Sequence, residues 1–124
     1  MTSGLDDTLG DDVSPANLKY KAEAGTRGAY HNVFVKLQDV VSQATGKTWD
    51  DYFSTRLKNK IGMSGSWILA DNNVVYWSTT RSMARFGLLA LNNGNWDGAT
   101  ILNPTFFQEA TNSSQTITNS YGYL

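Results

Sequence analysis

A helical stripe with a polar head constrains this chain more than any other feature. Between residues 28 and 53 the sequence opens on Tyr30-His31-Asn32 and passes directly into apolar residues at Val33, Leu37, Val40, Val41 and Ala44. Steps of three and four residues return to the same side of an α-helix, so these positions predict a helix with one buried face. Gly46 follows the last apolar position, where a left-handed residue would close the helix. Thr48 then begins a second helix, with Asp51 three residues on as a capping-box partner. Trp49, Tyr52, Phe53 and Leu57 form its expected buried stripe. A helix pair thus carries a phenol, an imidazole and an amide at its leading edge.

Length and composition narrow what that pair can belong to. At 124 residues the chain is one domain's worth, able to bury roughly two-thirds of its unfolded surface. A content of 40% hydrophobic and 17% charged residues is that of a globular chain. The net charge of −1 and the lack of a Lys/Arg stripe argue against a nucleic-acid surface. Arg56, Lys58 and Lys60 read as a solvated helix end, where cations meet the negative pole of the helix dipole. Without cysteine there is neither a disulfide framework nor a zinc-thiolate site. No apolar run approaches the roughly 20 residues of a membrane span, and no signal-peptide pattern opens the sequence.

Taken in order, residues 1–27 form a loop-rich opening, residues 28–62 the polar head and helix pair, residues 63–78 a hairpin, and residues 79–124 further helices and the start of a strand. Asp6, Asp7, Asp11 and Asp12 cluster in the opening. They lack the alternating spacing of a calcium loop and read as a solvated acidic loop. A short helix is expected after Ser14-Pro15, through residues 17–20. Ile61-Gly62-Met63 ends the helix pair. Trp67-Ile68-Leu69 and residues 74–77 predict the hairpin across residues 70–73. Thr79 or Thr80 caps a third helix, with Met83, Phe86, Gly87, Ala90 and Leu91 on one face and Asn92-Asn93-Gly94 as its stop. Asp97-Gly98 signals a turn, and Asn103-Pro104 caps a short helix through Phe106, Phe107 and Ala110. Residues 121–124 look like the opening of a strand.

Tyr30-x-Asn32 ahead of such a helix, followed by residues 45–53 (T-G-K-T-W-D-D-Y-F) and then Ile61-Gly62-Met63, resembles the penicillin-recognising serine hydrolases. That superfamily includes class C β-lactamases, D-alanyl-D-alanine carboxypeptidases and related esterases. Met1-Thr2-Ser3-Gly4-Leu5, the run from Arg81 to Leu91 and Tyr121-Gly122-Tyr123 fit the same pattern in the same order. The resemblance implies an α+β fold, predominantly α: the helical region of a serine β-lactamase-like fold with a small hairpin. It also implies that Tyr30 moves the proton of a nucleophilic serine and that Asn32 positions the reacting groups and the substrate carbonyl. Residues i and i+2 of an extended loop point the same way, so both side chains can face one cleft. His31, between them, would face the other way. It could anchor a Ser-His-Asp arrangement, but no G-x-S-x-G elbow accompanies it.

The departures from the family pattern are as informative. No Ser-x-x-Lys is present; the nearest string, Ser82-Met83-Ala84-Arg85, has arginine where a titratable lysine is needed. Lys47-Thr48 is followed by Trp49 instead of glycine, so the third motif is absent too. In the family those motifs lie before Thr2-Ser3-Gly4 and after a strand like that at Tyr121. The expectation is therefore a central fragment of an acyl-transfer enzyme acting on β-lactam, D-Ala peptide or small ester substrates, inactive alone. No metal or organic cofactor is implied. The substrate would be a small molecule or a peptidoglycan peptide, the parent an exported or membrane-anchored bacterial protein, and the truncated surface prone to self-association. The alternative is a non-catalytic glycan- or peptide-binding module using Trp49, Trp67, Trp77 and Trp96 as aromatic platforms.

Overall fold

Helix α1 occupies Lys36–Thr45, preceded by a 3-10 turn at Asn32–Val35, in the computed structural model, which describes residues 2–29, 32–113, 116 and 117. Gly46 ends the helix in the left-handed region at φ 66°, its N–H donating to Ser42 O at 2.9 Å. Helix α2 follows at Trp49–Phe53 and widens into a π turn at Ser54–Lys58. Thr48 Oγ1 accepts the Asp51 N–H at 3.1 Å, which is the cap expected from the sequence.

The apolar stripe of α1 departs from expectation. The helix forms, yet none of its side chains is fully buried, and Leu37 and Val40 remain 55% and 59% exposed. The helix packs chiefly on α2 and on its own 3-10 turn. The half-buried positions of the helix are Lys36, Gln38, Val41 and Ser42, so the side turned toward the fold is not the predicted stripe and shares only Val41 with it.

Strands β1 (Gly65–Ala70) and β2 (Asn73–Ser78) form the expected antiparallel hairpin, with Trp67 opposite Tyr76 and Ile68 opposite Val75. Its turn is the two residues Asp71-Asn72, with Asp71 left-handed at φ 52°. The directly opposed Trp67 and Tyr76 share one face of the ribbon. That face meets Trp49 and Phe53, one helical turn apart on α2, with ring centroids 5.3 Å (Trp49–Trp67), 5.1 Å (Phe53–Trp67) and 4.8 Å (Phe53–Tyr76) apart. Tilted and edge-on pairs like these contribute about 0.5–1.5 kcal/mol each beyond area burial. They fasten the hairpin to the helix pair.

Helix α3 spans Thr80–Leu91, and Thr79 Oγ1 accepts the Ser82 N–H at 3.2 Å as its cap. Its inward face is not the predicted one. Ser82 and Leu89 are buried, whereas Met83 is 53% and Leu91 79% exposed. Residues 83–91 are apolar almost all round apart from Arg85, so periodicity leaves the inward side undetermined. Polar bonds decide it: Ser82 Oγ accepts the Ser64 N–H at 2.9 Å and Arg85 donates to Ile61 O at 3.0 Å.

Past α3 the chain makes a miniature hairpin, β3 (Asn95–Trp96) with β4 (Ala99–Thr100), around Asp97 and Gly98 at φ 47° and 76°. Two successive positive φ values define the primed turn that suits a tight hairpin. Gly94 O then accepts the N–H groups of Ile101 and Leu102 at 2.9 and 3.1 Å, closing the loop. Helix α4 (Pro104–Thr111) starts as predicted, with Asn103 Oδ1 accepting the Phe106 N–H at 3.1 Å. The core is small: Ile61, Met63 and Leu89, flanked by Leu57, Tyr76, Trp96, Ile101 and Leu102.

The opening segment folds back on itself through a Leu5–Tyr20 antiparallel bridge, with the Asp6 N–H bonded to Lys19 O at 2.9 Å. The helix expected at residues 17–20 is only a turn, in which Asn17 and Leu18 N–H both reach Ser14 O. Asp12 accepts the Ser14 N–H and Oγ–H at 2.9 and 2.8 Å, a local arrangement that competes with helix continuation. Helices and hairpins together make the described chain α+β with helix predominant. The strand expected at residues 121–124 lies outside the described residues.

Candidate functional site

Asn32 stands at the first position of the 3-10 turn, 2% exposed, where that turn packs on β2. An amide at this place is enclosed by the junction of the helix pair and the hairpin. A side chain packed in this way has little conformational freedom left to lose. Tyr30 and His31, the other members of the polar head, lie outside the described residues. Arg27, three residues before Tyr30, is held by an ion pair to Asp7.

Ser82 and Arg85, the nearest match to a nucleophile motif, are both engaged in structure. Ser82 is 3% exposed and its Oγ sits among the Ser64 N–H, Ser64 Oγ at 3.2 Å and Thr79 Oγ1 at 3.0 Å. Ser78 Oγ donates to Ser64 O at 2.7 Å and completes a hydroxyl cluster between hairpin and α3. Among the described residues its partners are Ser64 and Thr79, so this serine acts as a latch between the hairpin and α3.

The acidic opening loop is likewise accounted for. The Lys21 ammonium, 2.8 Å from Asp6, holds that carboxyl far below the ordinary range, and Arg27 lowers Asp7 in the same way. Ser14 lowers Asp12 by hydrogen bonding to its carboxylate. Among the described residues no group of ligating side chains could hold a metal ion.

Trp49 and Trp67 are bound into the aromatic cluster and Trp96 packs against the core, which leaves Trp77, 62% exposed, as the outward indole. Burial in that cluster, together with Asp50, pushes the Tyr76 phenol upward from its usual value. Trp49 Nε1, Trp67 Nε1 and Tyr76 Oη are all buried without a hydrogen-bond partner among the described residues.

Among the described residues two clefts border this cluster. The smaller, about 180 Å³, is apolar and lies between Phe53, Met63, Trp67, Tyr76, Met83 and Phe86. The larger, about 480 Å³, is walled on one side by α2 and its π turn and on the other by residues 101–103. Sequence reasoning took that helix face for ordinary core. The signal that it was not lies in Arg56, a charge on the same stripe as Trp49, Tyr52, Phe53 and Leu57.

No protein-family model matches this chain, and no curated protein matches it. Among solved structures its fold is similar to that of a Bacillus anthracis protein described as a putative 6-aminohexanoate-dimer hydrolase, with a TM-score of 0.68. The two are 28% identical over an alignment covering 78% of this chain and 27% of that one. The chain has a hydrolase-like scaffold, in keeping with the serine-hydrolase resemblance in its sequence, and spans about a quarter of the length of the structure it matches.

Proposed function

We propose that these residues are the central part of a serine hydrolase working by acyl transfer, with Tyr30 as the proton-transfer group and Asn32 as the positioning amide. The likeness to a hydrolase over most of the chain is the observation that carries this reading. The buried Asn32 at the head of the helix pair supports it. In the reaction a serine hydroxyl attacks an amide, lactam or ester carbonyl. Its proton passes to Tyr30, held as a phenolate beside the lysine of the full site, and Tyr30 then hands that proton to the leaving group as the acyl-serine forms; water then releases the acid. The serine and its lysine would be supplied by the parent protein outside residues 1–124.

Substrates are a β-lactam, a D-Ala peptide or a small ester or amide. The description of the structural neighbour, a putative 6-aminohexanoate-dimer hydrolase, favours including short linear amides. In this account the isolated chain does not turn over substrate. The glycan- or peptide-platform alternative retains one outward tryptophan, Trp77, and is the weaker reading.

The experiment is steady-state kinetics of the parent protein against nitrocefin, a nitrophenyl ester and a D-Ala-D-Ala peptide. Tyr30→Phe is expected to lower kcat by roughly 10²–10⁴-fold, the usual loss of a proton-transfer group. A variant that keeps full activity on every substrate turned over would remove Tyr30 from the mechanism.

A further inference from the structure

The larger cleft has a composition that selects one kind of ligand. Its helical wall presents Trp49, Tyr52, Phe53, Arg56 and Leu57, five positions on one helix face, with Leu102 across the gap. The π turn at Ser54–Lys58 falls on the stretch bearing Arg56 and Leu57, and the Asn59 N–H reaches back five residues to Ser54 O at 3.0 Å. A π turn re-aims the side chains it carries and concentrates at functional sites. Here it contributes two of the wall's side chains.

Arg56 is the charged residue of the wall. Its guanidinium carbon lies over the Tyr52 ring, 5.7 Å from the centre, within the range of a cation–π contact. No carboxylate among the described residues lines the cleft, and the ion pairs among them do not involve Arg56. A guanidinium over an aromatic ring, beside apolar walls and without an ion pair among the described residues, calls for an anion with an apolar body. The volume, about 480 Å³, falls within the roughly 300–1,000 Å³ of small-molecule sites.

We propose that this cleft binds an aromatic carboxylate, its ring against Trp49, Phe53 and Leu102 and its carboxylate paired with Arg56. Charge complementarity sets the sign of the ligand, and the aromatic walls favour a flat organic acid over a strongly hydrated phosphate. Asn32 is not part of this wall, so the site stands apart from the acyl-transfer reading and does not depend on it.

Titration of the ¹⁵N-labelled 124-residue chain with 2-naphthoate, and separately with the neutral 2-naphthamide, tests the assignment. Naphthoate is expected to shift backbone amides of residues 49–57 and 101–103. Naphthamide is expected to bind at least about tenfold more weakly, the worth of a charge-assisted bidentate pair. Arg56→Gln is expected to erase the difference between the probes. The amide comparison on the unaltered chain holds even if that variant folds poorly. Equal binding of the two probes, shifts centred elsewhere, or no shift at millimolar naphthoate overturns the proposal. So do concentration-dependent shifts at these residues without ligand, which would mean that a second copy of the chain fills the cleft.

Discussion

The Ser82 hydroxyl oxygen receives the backbone N–H of Ser64 at 2.9 Å, bridging eighteen residues of sequence and locking the start of α3 to the approach of β1. Ser82→Ala would leave that N–H without its partner beside a nearly closed core, a loss of about 1–3 kcal/mol. Urea unfolding of the chain measures it. Stability within about 0.3 kcal/mol of the original would mean that the hydroxyl cluster is not a latch.

Two glycines separate backbone strain from crowding. Gly46 has φ 66° and open space around its missing Cβ, so Gly46→Ala carries the left-handed penalty alone, about 1–2 kcal/mol. Gly94 has φ 81°, and a Cβ there would stand 2.8 Å from Leu102 O. Gly94→Ala is expected to lose a further 1–3 kcal/mol or so through overpacking. Thermal melts that rank the two the other way would contradict the packing of residues 101–102 on the end of α3.

Acid should open the N-terminal loop first. The folded-state pKa values of Asp6, Asp7 and Asp12 are depressed, so the unfolded chain takes up protons before the folded one. Their stabilising contribution is complete above the unfolded value near 3.9 and is lost as pH falls through the depressed folded values. Carboxyl ¹³C titration is expected to place Asp6 below an ordinary aspartate and to return it toward that range in Lys21→Ala. An Asp6 midpoint unmoved by that change would show that Lys21 is not its cause.

Uncovered apolar side chains predict self-association. Leu37 and Val40 on α1, Leu69 on the hairpin, and Met83, Leu88 and Leu91 on α3 are all between 47% and 79% exposed. Contiguous apolar patches beyond a few hundred Å² are rare on monomers. Light scattering behind size exclusion is expected to find association that rises with concentration, together with binding of a hydrophobic dye. A monodisperse chain that binds no dye and melts sharply would favour the binding-module alternative.

What the sequence made legible was local. Gly46, Thr48, Thr79 and Asn103 each set a helix boundary through a dihedral preference or a single side-chain bond, and these are readable within a few residues. The hairpin pairing followed from alternating β-prone residues around a short polar turn. The inward face of α3 was not legible, because apolar residues surround that helix and the choice lay with Ser64 and Ile61, far away in sequence. Nor was the large cleft, which needs the miniature hairpin to carry residues 101–103 across from α2. At the candidate site, Asn32 proved buried at a helix head, while Tyr30 falls outside the described residues.

The central claim is that the chain carries the Tyr-x-Asn part of an acyl-transfer site whose nucleophile lies elsewhere. Intact-mass spectrometry after incubation with a penicillin and a nitrophenyl ester, applied to this chain and to the parent protein, tests it most directly. The account predicts no adduct on the 124 residues alone, and a single acyl adduct on the parent at a serine outside them. An adduct that maps to a serine within this chain, or a parent that is acylated by neither reagent, would contradict it.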